Sequence, residues 1–94
     1  MPIFDLLVMK TQGWCHHRES DRVDYHAKES ADVSDIFALL ERATQENVSY
    51  ADEANESRHS REFMNLAHTL VNSFVRVYGR HGRRRQWRDL GFSV

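Results

Sequence analysis

Between Gly13 and Gly79 this chain contains neither glycine nor proline. Tight turns between strands draw on those two residues, one for positive φ and the other for a preset φ. So long an interval without either predicts helices joined by Asn-, Asp- and Ser-rich connections.

The spacing of apolar residues points the same way. In SREFMNLAHTLVNSFVRVYG, Phe63, Ala67, Leu70, Phe74 and Val77 recur at three and four, flanked by Met64, Val71, Val75 and Tyr78. That is a broad apolar stripe along one long helix. Ser57 or Ser60 is placed to cap its start. Gly79 stands where a helix-ending glycine belongs, with Arg76 and Arg80 beside the last carbonyls. A second helix is expected in SADVSDIFALLERATQENVSY, with Val33, Ile36, Phe37, Leu40 and Ala43 on one face. Ser30 or Asp32 serves as its N-cap, and it stops near Asn47. The stretch YADEANESRHS is either a polar connection or an exposed extension of the long helix.

The first thirty residues are less decisive. PIFDLLVMK fits a short helix with Pro2 at its first position. It fits a strand equally well, with Phe4, Leu6 and Val8 on one face. WCHHRESDRVDYHAKES is polar apart from Trp14, Val23 and Tyr25. The expected fold is therefore all-α, a single domain over residues 1–94. It comprises an N-terminal segment (1–30), an antiparallel helical hairpin of Ala31–Asn47 and Ser57–Tyr78 (31–78), and an Arg-rich C-terminal arm (79–94). Two helices this broadly amphipathic cannot hide all their apolar surface from each other, so a homo-oligomer is expected, a dimer before larger assemblies.

The lone Cys15 rules out a disulfide within the chain, and the opening residues lack the basic start of a signal peptide. A reducing, cytoplasmic setting follows as the expectation. The apolar opening is too short to span a membrane, and no membrane association is expected.

The formal net charge of −1 conceals a division of charge along the chain. From Arg76 onward six arginines stand against one acid, Asp89, whereas the first 75 residues hold seven Lys/Arg and thirteen Asp/Glu. The body is acidic and the end is basic. In GRHGRRRQWRDLGFSV, arginine supplies the forked donors suited to phosphate, and Trp87 offers a stacking surface. Arg76, Arg80, Arg83, Arg84, Arg85, Trp87 and Arg88 are accordingly the candidate polyanion- or partner-binding residues. The alternative is that the arginines only solubilise a helix end while Trp87, Leu90 and Phe92 fold back as core.

Other constellations are weaker. Cys15, His16 and His17 are adjacent and point apart; Glu19, Asp21 and His26 do not complete a zinc set, and His59, His68 and His81 are isolated. No metal and no cofactor is expected. Cys15 beside His16 is close in sequence only, and no glycine-rich elbow surrounds a serine, so an enzyme is not expected. The acids between Glu19 and Glu62 form a surface that can imitate nucleic-acid phosphates, although bases are interleaved throughout.

The expectation that emerges is a small non-catalytic binding protein. It is a regulator or inhibitor of the kind viruses and phages encode, acting by occupying a macromolecular protein partner. The alternative is that the Arg-rich arm itself binds nucleic acid or a phosphorylated ligand.

Overall fold

The computed structural model describes residues 2–19, 29–56 and 59–94, with the Arg80 side chain left aside. Among these residues every regular element is helical: α1 (Ile3–Glu19), α2 (Glu29–Gln45), α3 (Tyr50–Ala54), α4 (Arg61–Tyr78), a 3₁₀ turn (Gly79–Gly82) and α5 (Arg84–Asp89). The radius of gyration of 12.9 Å matches the roughly 13 Å of a compact chain of about 100 residues.

Of the N-terminal segment, Ile3–Glu19 is a helix of 17 residues, as long as α2, and residues 20–28 lie outside the described residues. Its buried side chains are Phe4, Leu7, Val8, Thr11 and Trp14. That is the helical period. A strand would have grouped Phe4 with Leu6 and Val8, whereas Leu6 is only half-buried and Leu7 is covered. Thr11 is tolerated in the core because its hydroxyl donates to the Leu7 carbonyl at 2.8 Å. The polar last turn continues the helix because His16, His17 and Arg18 sit at the negative helix end. Two of them also reach α2, Arg18 to Glu29 at 2.7 Å and His17 to Asp32 at 2.6 Å.

In α2, Ser30 and Asp32 fall inside the helix and do not cap it, since it already runs at Glu29. Its end is better defined. Asn47 takes φ of 57°; its N–H donates to the Thr44 carbonyl at 3.2 Å, and the Val48 N–H to the Ala43 carbonyl at 3.0 Å. This pair of bonds is a Schellman motif, with asparagine in the left-handed position that glycine usually fills. It explains how the helix stops without a glycine.

YADEANESRHS resolves into the short helix α3 and a turn, separate from α4; residues 57 and 58 lie outside the described residues, and with them the Ser57 cap. Ser60 is the cap of α4, its hydroxyl accepting from the Phe63 N–H at 3.0 Å. The buried face of α4 is Met64, Ala67, Leu70, Val71, Phe74 and Val75. It is rotated slightly from the expected stripe: Phe63 is half-buried, and Val77 is 40% exposed. Gly79, at φ of 56°, ends the helix, its N–H returning to the Val75 carbonyl.

The principal helix pairing is α1 on α2, with α4 packed on α1 and the C-terminal segment on α2 and α4. The expected pairing of 31–47 with 57–78 is thus not the dominant one, because α1 takes the position on α2 that the hairpin assigned to α4. Residues 79–94 do not trail from the body as an arm. They fold back, burying Trp87, Leu90 and Phe92. Tyr50 donates its N–H to the Leu90 carbonyl at 2.6 Å, and a Cβ on Gly91 would stand 3.1 Å from that of Tyr50. The uncovered surface that argued for an oligomer is therefore largely covered within one chain. Among the described residues the exposed large apolar side chains are Met9, Leu66 and Val77. None of the helices they form is long and apolar enough to cross a membrane.

Candidate anion-binding face

The concave face at the C-terminal end begins with backbone geometry. Gly82 is buried, and a Cβ there would meet the Val75 Cα at 3.3 Å and the Tyr78 Cβ at 3.4 Å. The chain therefore passes α4 closely enough that any larger residue at 82 would crowd it. Trp87 locks this approach by donating its indole N–H to the Gly82 carbonyl at 2.8 Å. Arg83 then turns the chain into α5 with φ of 55° and ψ of 46°, a left-handed conformation that a long side chain adopts at a cost of about 1–2 kcal/mol. Its guanidinium lies over the Phe37 ring of α2, 4.4 Å from the centroid.

Around this turn Gly79, Arg83, Arg84, Arg85 and Arg88 line a concavity of about 560 Å³. The four arginines are exposed. Arg88 donates through Nε to the main-chain oxygen of Val94, the last residue of the sequence, and Arg83 is held by Phe37. Among the described residues no Asp or Glu side chain pairs with any of the four. Three acids elsewhere do find cations: Asp35 pairs with Lys10, Glu29 with Arg18 and Glu46 with Arg42. Four like charges are therefore gathered on one surface with no Asp or Glu side chain bonded to them, an arrangement that raises the affinity of that surface for anions.

The seven residues expected to bind do not all come together. Arg83, Arg84, Arg85 and Arg88 share the concavity. Arg76 is exposed on α4 and does not line it, and the Arg80 side chain lies outside the described residues. Trp87 needs correction: it is 0% exposed, enclosed with Phe74 and Phe92 at ring-centroid distances of 5.8 and 5.6 Å. A ring so enclosed has no face left to stack on a base. Its apolar bulk and the indole bond to Gly82 place it in the core.

Cys15, His16 and His17 do not converge. The Cys15 thiol lies 3.6 Å from Glu19 Oε1, while His17 faces Asp32. Burial first, and the neighbouring Glu19 next, push the thiol above its ordinary range, which works against a nucleophilic thiolate. Asp21 and His26 lie outside the described residues.

A different cluster escaped the sequence reading. His59, taken as isolated, has a side chain only 3% exposed. Its Nε2 is 2.6 Å from Asp5 Oδ1, and its Nδ1 is 2.8 Å from the Glu53 carbonyl and 3.5 Å from Glu53 Oε2. Its ring stacks on Phe63 at 4.9 Å. Asp5, Glu53 and His59 offer ligand atoms within 4.8 Å of one another, which makes them a candidate cation cluster. Their acceptors, however, stand at both ring nitrogens. The ring thereby ties Asp5 of α1 to Glu53 of α3. No signal in the sequence marked this triad, because Asp5 stands far along the chain from Glu53 and His59 and meets them only through packing.

No family model matches this chain, and no curated protein or solved structure shows significant similarity to it.

Proposed function

We propose that the chain is a small non-catalytic binding protein, a regulator or inhibitor that acts by occupying a macromolecular partner. We place the contact at the face formed by Arg83, Arg84, Arg85 and Arg88, which meets an anionic surface of that partner. The observation that carries this reading is the concentration of four arginines around one concavity, with no Asp or Glu side chain among its lining residues. Charges that serve only solubility gain nothing from being gathered this way and repel one another. Arg83 adds weight, since it occupies a backbone conformation better suited to glycine, and strain kept at a surface turn points to a use for the side chain.

Retention on a heparin matrix at low salt tests the proposal. The wild-type chain is expected to bind and the Arg84→Glu/Arg85→Glu/Arg88→Glu variant to pass through, with the helical signal of both unchanged. Equal retention of the two would remove this face from the contact.

A further inference from the structure

We infer that the anionic surface met by the arginine face is the sugar–phosphate backbone of a nucleic acid, gripped without reading its bases. The inference rests on the binding role proposed above and specifies its partner.

Three observations lead there. The charged side chains lining the concavity are all arginine, whose planar fork of donors makes two parallel bonds to a phosphate. Repeated phosphates offer several such acceptors at close spacing, about one charge per 1.7 Å of duplex axis.

The second observation weighs against a protein partner. Protein interfaces are anchored by apolar and aromatic side chains that enter the partner's pockets. This face has none to offer among its lining residues. Trp87, Leu90 and Phe92, the large apolar groups of the same segment, all point into the core. What remains is charge without an apolar centre, the composition of a surface that meets a solvated phosphate backbone.

The third observation concerns bases. Stacking needs an open aromatic face. Trp87 is enclosed, and the Phe37 ring is covered by the Arg83 guanidinium. With no ring open to stack on a base among the lining residues, recognition stops at the backbone. Binding is then independent of sequence and gains nothing from single-strandedness. The acidic remainder of the chain confines the contact to this one face.

The numbers follow from counterion release. Four arginine–phosphate contacts give a slope of log K against log salt of about −3.6 on a duplex and about −2.8 on a single strand. Each Arg→Gln change in the concavity reduces the duplex slope by about 0.9 and weakens all sequences alike.

The test is a fluorescence-anisotropy titration of the full chain across a range of salt. Its probes are two labelled duplexes of unrelated sequence, the corresponding single strands, and labelled polyglutamate. Arg84→Gln and Arg83→Gly are measured beside the wild type, glycine being the residue that position 83 accommodates without strain. The expected result is equal affinity for both duplexes, the slopes given above, weaker binding to polyglutamate and a shallower slope for both variants. Binding to polyglutamate as tight as to duplex, or a difference of more than about tenfold between the two sequences, would overturn the backbone assignment. Either outcome leaves the anionic-partner reading standing. Failure to bind duplex, polyglutamate and heparin at low salt would overturn both.

Discussion

At the scale of single residues, the account turns on side chains whose surroundings run against their type. Arg83 is the clearest. Its left-handed backbone costs about 1–2 kcal/mol, and the contact with Phe37 returns about 0.5–1 kcal/mol. Arg83→Gly is therefore expected to leave stability within about 1 kcal/mol of the wild type while binding to a polyanion falls. Urea melts and a binding titration on the same preparation check both halves. A large loss of stability would show that the turn depends on the arginine itself. His59 is the opposite case, a polar group held for the fold. His59→Ala leaves Asp5 and Glu53 facing a gap beside Phe63, and a loss of about 1–3 kcal/mol is expected. An unchanged melting temperature would show that the triad is not a tether. Neither environment was legible in the sequence. The burial of His59 depends on Phe4 and Phe63 closing around it, and the strain at Arg83 depends on Gly82 meeting α4. The gathering of arginines was legible, because it is written in consecutive residues.

At the scale of elements, α4 was readable from its period, its Ser60 cap and its closing glycine, all local signals. Phe74, at its centre, is in contact with Trp14, Phe37 and Trp87. Phe74→Ala is expected to cost about 3–5 kcal/mol, and a near-neutral shift in a thermal melt would contradict the face assigned here. The length of α1 was not readable. Beyond Met9 its pattern rests on Thr11 and Trp14 alone, and the polar last turn is helical because α2 supplies the partners. Tyr78 ties these elements together. Its hydroxyl accepts from Trp14 Nε1 at 2.9 Å and donates to Glu29 Oε1 at 2.8 Å. Burial pushes this phenol above its ordinary value near 10; the Trp14 hydrogen bond opposes the shift, and Glu29 adds to it. The unfolded chain thus gives up the Tyr78 proton at lower pH than the folded one. The stability this group supplies is fully present below about pH 10 and is lost as pH rises through the folded value. Tyr78→Phe is expected to lower stability at neutral pH by about 1 kcal/mol and to flatten the decline above pH 10. Urea melts at several pH values compare the two slopes.

At the scale of the whole molecule, the division of charge along the chain becomes a division in space only at its basic end, where the last segment folds back and gathers Arg83, Arg84, Arg85 and Arg88. The same folding covers the apolar surface of α2 and α4, so the step that closes the core also builds the proposed contact face. The sequence alone offered both an arm with a stacking tryptophan and an end whose Trp87, Leu90 and Phe92 fold back as core, and the structure has the second. The physical reason is that Trp87, Leu90 and Phe92 gain more from the core than they would on the surface, and they carry the arginines with them onto a shaped face. Binding through this face is expected to weaken steeply with salt, as an exposed set of charges must.

The most direct measurement is the affinity of the full chain for heparin fragments in low salt, compared with that of Arg84→Gln/Arg85→Gln/Arg88→Gln, with circular dichroism and melting temperature recorded for both. The account predicts measurable binding by the wild type, its near-complete loss in the variant and matching folds. Equal affinity in two equally folded proteins would contradict it.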